Sequence, residues 1–253
     1  MKVIAVLQAR MSSSRLPHKV LLPLQGKPML LQQINRIQTS KLIGILVVAT
    51  SIEPEDDAIE KLCLDSGIHC FRGSLDDVLD RFYHCSRIYE GEHIVRLTGD
   101  CPVIDSGVID QVIAHHLESG ADYTSNTNPP SYPDGLDVEV IKKEALSEAW
   151  RKAKLPSQRE HVTPFIRDSG HFKLENLLGA EDLSNLRWTV DEQEDFELIT
   201  YIYDKLYPSN PNFHYQDILA LLNTDKDKFN VNAHISRNEG LVKSVNQDSN
   251  YLL

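Results

Sequence analysis

The sequence VIAVLQARMSSSRLPHKVLLPLQGKP, residues 3–28, joins an apolar run to a long polar loop and then to a helical pattern. The run from Val3 to Leu7 is typical of a buried strand, and the helical pattern begins near Pro28. Residues 8–28 therefore form a loop between the first strand and the first helix. This loop carries four cations, Arg10, Arg15, Lys19 and Lys27.

The cationic loop has the composition of an anion site. In open α/β sheets, ligands bind outside the carboxyl ends of the strands, which is where this loop begins. Cations, the hydroxyls of Ser12–Ser14 and backbone N–H groups together suit a polyphosphate. Two alternatives remain open at this point: an ordinary basic surface loop, and prolines that only stiffen a long connection.

Composition limits the classes of function. The 253 residues are 41% hydrophobic and carry a formal net charge of −11, which argues against a general surface for nucleic acid or anionic membrane. No apolar run is long enough to span a membrane, and the first apolar run is too short for a signal peptide. We therefore expect a cytoplasmic protein with no nucleic acid or membrane partner. The four cysteines are expected to be reduced thiols.

Strand and helix patterns alternate over the first half of the chain, which predicts a Rossmann-like α/β fold with a mixed, mostly parallel sheet and helices on both faces. Apolar runs predict the strands, and apolar residues at helical spacing predict the helices. The predicted strands are 2–7, 43–49, 68–71 and 93–97. The predicted helices are 28–38, one from Pro54 to Gly67, 76–89, and one that Ser106 caps.

The second half is less regular. We predict a strand end at 122–125, a loop at 127–135, a half-exposed strand at 136–141 and a strand at 187–190. Helices are predicted at 143–153, 158–168, 192–206 and 215–223, with the last twenty residues loosely held. The chain shows no interdomain linker, so we expect one domain over residues 1–253, in which about 126–153 could form a dimer contact or a lid.

Two further stretches place carboxylates at the ends of predicted strands. In RLTGDCPVID (residues 96–105), Asp100 follows a strand and could hold a divalent cation, or it could cap a turn. In RWTVDEQED (residues 187–195), Asp191 lies at the same kind of position and is interpreted as a metal ligand. Asp195 fits a helix N-terminus better, because the helix dipole stabilises acidic residues there. A nucleophilic role for Cys101 is a minor alternative.

Together, these stretches resemble the nucleotidyltransferases that activate sugars. The loop resembles the pattern R-x-x-S-x-R-(x)n-K followed by a G-K-P turn. RLTGDCPVID and RWTVDEQEDF are similar to motifs of the cytidylyltransferase branch, which includes SpsF-like proteins and the CMP-sialate and CMP-Kdo synthetases. PDGLDVEV (133–140) and REHVTPFI (159–166) also resemble the SpsF-like branch. The resemblance extends from Lys2 to about Tyr203, and Ser12–Ser14 depart from it where many members have glycine.

The resemblance implies a nucleotide-diphosphosugar transferase fold and a set of site residues. The triphosphate and catalysis are assigned to Arg10, Arg15 and Lys19, and Mg²⁺ to Asp100 and Asp191. The nucleotide site as a whole comprises Leu7, Gln8, Ala9, Arg10, Ser13, Arg15, Lys19, Thr98 and Asp100. The sugar side comprises Asp134, Glu139, Glu160 and His161, although His161 could equally be a histidine on a helix face.

The activity that this implies is transfer of CMP from CTP to an acidic sugar of the ulosonic acid type, with release of pyrophosphate, for surface polysaccharide biosynthesis. One alternative is a nucleotidyltransferase that acts on a sugar 1-phosphate with another nucleotide. Another is a non-catalytic nucleotide-sugar-binding or glycosyltransferase-like protein. The resemblance also implies a homodimer.

Overall fold

The computed structural model describes residues 2–251, and its first half alternates strands and helices as the sequence predicts. Its elements are β1 (Val3–Gln8), a 3-10 turn (Lys19–Leu21), β2 (Pro23–Leu24), β3 (Lys27–Pro28), α1 (Met29–Ile37), β4 (Ile45–Ser51), a 3-10 turn (Pro54–Asp56), α2 (Asp57–Asp65), β5 (His69–Gly73), α3 (Val78–Ile88), β6 (His93–Thr98) and α4 (Ser106–Ser119).

The second half contains short strands and helices. They are β7 (Tyr123–Ser125), β8 (Glu139–Lys142), α5 (Lys143–Lys152), α6 (Pro156–His161), α7 (Pro164–Asp168), β9 (Leu174–Asn176), α8 (Gln193–Leu206), α9 (Tyr215–Thr224), a 3-10 turn (Lys226–Asn230) and α10 (Glu239–Tyr251).

The main sheet has seven strands in the order β5-β4-β1-β6-β8-β7-β9. The first four are mutually parallel, β8 is antiparallel to both its neighbours, and β7 and β9 are parallel. One core cluster packs α1, α4 and α8 on one face, and a second packs α3 and α5 on the other. This confirms the mixed, mostly parallel sheet with helices on both faces, and it brings the loops after β1 and β6 to the same edge.

One predicted element of the second half is wrong, and two others are correct only in part. The strand predicted at 136–141 is β8, which begins at Glu139 and is buried because it has a strand on each side and helices on both faces. Residues 187–190 form one isolated bridge, Asp134 with Arg187, and no strand. The helix predicted at 158–168 is two helices, α6 and α7, because Val162 has a φ of 70° between them and Pro164 begins the second.

Two helix ends also differ from the sequence prediction. Asp105, rather than Ser106, caps α4, and its carboxylate accepts hydrogen bonds from the backbone N–H groups of Gly107 and Val108. The C-terminal segment, predicted to be loosely held, contains α10, which packs on α6; residues 252 and 253 lie outside the described residues.

The cysteines and the length of the helices can be compared with the expectations from composition. All four cysteines are free thiols. Within residues 2–251, no helix combines the length and apolar character that crossing a membrane requires.

A buried histidine beneath β7 makes stability depend on pH. His116 is fully buried, its Nδ1 lies 2.9 Å from the Thr124 hydroxyl, and its Nε2 lies 3.0 Å from Nδ1 of His93. Burial, together with the neighbouring charges of His93 and Lys142, lowers the pKa of His116 from 6.5 to about 4. Between pH 6.5 and 4, the His116 side chain therefore binds a proton in the unfolded chain but not in the folded chain. Because the unfolded state binds more protons, the free energy of unfolding falls as the pH falls through that range.

We expect the free energy of unfolding of the wild-type chain to fall by about 2–3 kcal/mol more than that of His116→Gln between pH 6.5 and 4. Urea unfolding at a series of pH values measures this difference. Parallel pH profiles for the two proteins would show that His116 does not carry the effect.

Candidate functional site

A polar cavity of about 570 Å³ lies at the edge of the sheet where the parallel strands end. Most of the sequence-predicted site residues line it, although they come from distant parts of the chain. Those lining residues are Gln8, Ala9, Arg10, Ser13, Arg15, Lys19, Thr98, Asp100, Asp134, Glu139, Glu160, His161 and Asp191.

Leu7 is the exception among the predicted nucleotide-binding residues. Its side chain is fully buried in the hydrophobic core, and Leu7 does not line the cavity. The reason is that β1 is an inner strand with helices on both faces, so its side chains become available to a ligand only where the strand ends, at Gln8.

Backbone hydrogen bonds fix the shape of the cationic loop. The N–H groups of Ser13 and His18 both donate to the carbonyl of Met11, at 2.9 and 3.0 Å, and the N–H of Met11 donates to Asp56 Oδ1 at 2.7 Å. Among residues 10–19, His18 is the one with left-handed backbone, at a φ of 60°, and none of the three serines has a positive φ. The loop therefore places its one positive-φ residue directly before Lys19, and Ser12–Ser14 need no glycine-like conformation.

Lys19 lies between the two predicted metal-binding carboxylates. Its Nζ donates to Asp191 Oδ1 at 2.8 Å, to the carbonyl of Val190 at 2.7 Å and to Asp100 Oδ2 at 3.4 Å. Only 8% of Lys19 is exposed, so its charge acts in surroundings where solvent screens it weakly. One ammonium group therefore joins the loop to both carboxylate stretches.

The charges in this cluster shift one another's pKa values. Burial by itself lowers the pKa of Lys19, but Asp100 and Asp191 reverse this effect and raise it above its usual value. Burial raises the pKa of Asp191, but the charge and hydrogen bond of Lys19, with help from Arg15 and Arg187, lower it to about 2. Lys19 and Asp191 are consequently both charged at neutral pH.

The two loop arginines differ in their partners. Arg15 forms ion pairs with Asp191 at 2.9 Å, Glu192 at 3.4 Å and Glu239 at 3.5 Å. Arg10 is exposed, and within residues 2–251 no ion pair is formed by it. A phosphate group could therefore bind Arg10 directly, whereas it must compete with carboxylates for Arg15.

A glycine and a threonine position Asp100. The N–H of Gly99 donates to the carbonyl of Gln8 at 2.8 Å, and a Cβ at Gly99 would lie 3.0 Å from that oxygen. The Thr98 hydroxyl donates to Asp100 Oδ1 at 2.6 Å. The carbonyl of Asp100 accepts the N–H of Val190 at 2.8 Å, which connects the two carboxylate stretches. The close approach at Gly99 leaves little room for a larger residue.

Asp100 and Asp191 offer a suitable but incomplete donor set for Mg²⁺. Their carboxylates both contact Nζ of Lys19, and across the described part of the chain no group of three or more metal-ligating side chains is formed. Mg²⁺ is usually held by one or two carboxylates together with water and substrate phosphates. Two carboxylates beside a cationic loop fit that pattern, with the remaining ligands to come from a bound triphosphate and water.

The other end of the cavity contains the residues predicted to contact the sugar. Glu139 is paired with Arg96 and accepts hydrogen bonds from Tyr123 Oη at 2.6 Å and Thr163 Oγ1 at 2.8 Å. Burial raises the pKa of Glu139, but Arg96 and these hydrogen bonds produce a net decrease. Glu139 is therefore a charged residue whose oxygens are already bound by the protein, so its contribution at this end is mainly to hold Arg96.

The remaining predicted sugar-side residues have partners of their own. Asp134 pairs with Arg187 at 3.1 Å, but burial and the neighbouring Asp137 raise its pKa to about 7. Glu160 accepts a hydrogen bond from Ser244 of α10 at 2.7 Å, and Nε2 of His161 lies 3.0 Å from the same hydroxyl. The pair is thus part of the contact between α6 and α10.

Several residues that line the cavity were missed by the sequence analysis. Arg96 and Arg167 lie at the edges of the quoted motifs, where a strand-end arginine and a helix-end arginine are detectable signals. The residues of α10 gave no signal, because their approach to the cavity depends on long-range packing. Cys101 is 4% exposed, and burial with the nearby Asp100 raises its pKa well above 9, so it is a protonated thiol and an unsuitable nucleophile.

Comparisons with known proteins show which family this chain is related to. The family model described as cytidylyltransferase matches residues 4–234. The chain is 39% identical over 238 residues to an uncharacterized protein of Methanocaldococcus jannaschii, covering 93% of this chain and 96% of that protein. It is 35% identical over 233 residues to the spore coat polysaccharide biosynthesis protein SpsF of Bacillus subtilis, covering 89% and 95%.

A third relative and two solved structures extend the comparison. The 3-deoxy-manno-octulosonate cytidylyltransferase of Chlorobaculum parvum is 34% identical over 122 residues, about half of each chain (47% and 48%). A cytidylyltransferase structure from Leptospira borgpetersenii superposes with a TM-score of 0.86 at 31% identity, covering 90% of this chain and 97% of that one. The synthetase of CMP-2-keto-3-deoxy-manno-octonic acid, solved with CTP, has the same fold, with a TM-score of 0.63 at 17% identity and coverage of 81% and 99%.

Proposed function

Since this chain belongs to the cytidylyltransferase family, we propose that it transfers CMP from CTP to a hydroxyl of an acidic sugar of the ulosonic acid type and releases pyrophosphate. The observation that carries this proposal is the meeting of Lys19, Asp100 and Asp191 beside a cationic loop in one cavity. A role in surface polysaccharide biosynthesis is supported by the similarity to SpsF.

The reaction requires charge neutralisation more than covalent chemistry from the protein. The sugar hydroxyl loses its proton to solvent as its oxygen forms a bond to the α-phosphorus; the bond from that phosphorus to the bridging oxygen breaks, and pyrophosphate carries away the electron pair. Arg10, Arg15 and Lys19 are proposed to bind the phosphates and to stabilise the charge that develops on the leaving group. Gln8, Ala9, Ser13 and Thr98 are proposed to hold the nucleoside and phosphate oxygens.

Asp100 and Asp191 are proposed to hold Mg²⁺ on the phosphates. When bound, that ion would polarise the phosphate oxygens and orient the attacking and leaving groups. Arg15 now pairs with Asp191, Glu192 and Glu239, so we propose that a triphosphate attracts its guanidinium away from some of these carboxylates.

Pyrophosphate release with Mg²⁺ tests the proposed activity. We expect release with CTP and 3-deoxy-manno-octulosonate or N-acetylneuraminate, and little with ATP, GTP, UTP or dTTP. Release only with sugar 1-phosphates would support the alternative of a nucleotidyltransferase that acts on a sugar 1-phosphate. Nucleotide binding without release from any acceptor would support the non-catalytic alternative.

The dependence of activity on Mg²⁺ tests the two carboxylates. We expect Asp100→Asn and Asp191→Asn each to raise the Mg²⁺ concentration for half-maximal activity by about tenfold or more, since an amide is a weaker ligand for a hard cation. Titration of Mg²⁺ at saturating CTP measures this change, and Asp137→Asn, also at the cavity, is the control. Half-maximal concentrations equal to those of the wild type would remove both residues from the metal site.

A homodimer is also proposed, on the resemblance alone. Residues 126–153 contribute β8 and α5 to the fold, so the contact there would use the exposed faces of this segment. Size-exclusion chromatography with light scattering is expected to give about twice the 28.7 kDa mass of the chain. A mass near 28.7 kDa would contradict the proposal.

A further inference from the structure

The C-terminal helix α10 forms one wall of the cavity, although it lies beyond the residues that the cytidylyltransferase family model matches. Its lining residues include Gly240, Lys243, Ser244 and Gln247. These positions are spaced by three or four residues, so they lie on one side of the helix. This part of the cavity is therefore built by a segment outside the shared family core.

Specific polar contacts hold α10 in place. The Ser244 hydroxyl contacts Glu160 and His161, at 2.7 and 3.0 Å. One turn later, Asp248 accepts hydrogen bonds from the N–H of Ser157 at 3.0 Å and from its hydroxyl at 2.5 Å. Both Ser244 and Asp248 are buried at 7% exposure. The side of α10 that faces the cavity thus has a fixed position relative to α6.

Two cations at this end of the cavity form no close ion pair within residues 2–251, although the charge of Arg167 acts on the Glu139 carboxylate. Neither Arg167 nor Lys243 forms an ion pair within residues 2–251, and the Nε of Arg167 is a buried donor without a hydrogen bond. The Nε of Arg96 likewise has no hydrogen bond, but Arg96 is paired with Glu139. A buried donor without a partner is costly, and Arg167 also lines the cavity without a close ion pair, so a bound anion would satisfy both its donor and its charge.

We infer that Lys243 of α10 and Arg167 of α7 bind the carboxylate of the acceptor, so that α10 determines the preference for acidic acceptors. This inference rests on the proposed function, because it concerns the acceptor end of the same cavity. The guanidinium of Arg167 offers paired donors that match a carboxylate, and Lys243, exposed at the cavity edge, adds a second charge.

Equilibrium binding tests this inference separately from catalysis. The dissociation constants of 3-deoxy-manno-octulosonate and N-acetylneuraminate are measured by ligand-observed NMR on the full chain, alongside those of the corresponding carboxamides. For the acid that the wild type binds more tightly, Lys243→Gln is expected to weaken binding about fivefold or more and Arg167→Gln about tenfold or more. Both variants should bind the carboxamide and CTP with wild-type affinity.

Controls separate recognition from folding. Lys61→Gln changes an exposed lysine of α2 that does not line the cavity, and it should leave all affinities unchanged. Because Lys243 is exposed, its variant is expected to unfold at the wild-type temperature, so it keeps the test valid if Arg167→Gln fails to fold.

Three outcomes would overturn the inference: a wild-type chain that binds neither acid, a Lys243→Gln chain that binds the acid with wild-type affinity, or equal weakening for the acid and its carboxamide. Binding of sugar 1-phosphates that depends on Lys243, without binding of the acids, would also overturn it. If the acid binds through Lys243 but no pyrophosphate is released with CTP, the inference stands and the proposed function fails.

Discussion

Replacing Lys19 with methionine is expected to lower turnover a hundredfold or more while the chain remains folded. Methionine keeps most of the length and apolar volume of the lysine stem, but it removes the charge that contacts Asp191 at 2.8 Å and Asp100 at 3.4 Å. Losing one preorganised donor to developing charge costs about 3–4 kcal/mol of barrier, which corresponds to about 10²–10³ in rate. The two carboxylates would also repel one another without the ammonium between them.

The measurement is pyrophosphate release at saturating CTP, acceptor and Mg²⁺, together with thermal unfolding of each variant. Lys27→Met is the matched control, because Lys27 belongs to the same loop but is exposed and does not line the cavity. It should retain nearly full activity. A Lys19→Met chain that is folded and within fivefold of wild-type turnover would exclude Lys19 from the chemistry.

The first half of the fold could be predicted from the sequence because local signals and the global structure agree there. The apolar runs of β1 and β4 are long enough to identify inner strands, and each is followed by a turn and a helix with an apolar face. Parallel strands end at a common edge, so the loop with Lys19 and the strand end with Asp100 were expected to meet there. That expectation follows from topology and needs no knowledge of side-chain packing.

The second half could not be predicted as well because its structure depends on contacts between distant segments. Residues 187–190 are buried like a strand, but they are held by the backbone of Asp134 and by that of Asp100 instead of by a strand partner. The N–H of Trp188 donates to the carbonyl of Asp134. The next residue, Gly135, has a φ of 115° and packs so closely on this segment that a Cβ on it would lie 2.7 Å from the backbone of Trp188 and Thr189. Such a contact leaves no periodic pattern of apolar residues in the sequence from which it could be predicted.

The residues of the candidate site likewise divide into those that the sequence predicts and those that it does not. Residues near strand ends, such as Lys19 and Asp100, were identified because their position in the chain implies their position at the sheet edge. Lys243 was missed, since α10 reaches the cavity through hydrogen bonds to residues more than eighty positions earlier. The break in the helix at Val162 could have been anticipated from Pro164, because a proline in the middle of a helix has no N–H to donate to the carbonyl four residues earlier.

Removing the Asp195 side chain is expected to destabilise the protein more than any change at the surface of the cavity. Asp195 is fully buried and accepts hydrogen bonds from Arg187 at 2.8 and 2.9 Å and from Asn232 at 2.7 Å. It also accepts the N–H groups of Asp191 and Glu192, at 2.9 and 3.0 Å. Burial raises its pKa, but Arg187 and the other donors produce a net decrease, so the residue is charged.

We expect Asp195→Ala to lower the free energy of unfolding by about 3–5 kcal/mol, because it leaves Arg187 buried with one neutralising partner fewer. Urea unfolding measures this change, and Glu194→Ala, on the exposed side of the same helical turn, should cost less than about 1 kcal/mol. A cost of under 1 kcal/mol for Asp195→Ala would show that Asp134 and Asp191 are sufficient partners for Arg187. Because Asp195 also holds the backbone of Asp191, the destabilised chain should lose activity even where it remains folded, which connects the helix N-terminus to the position of a proposed metal ligand.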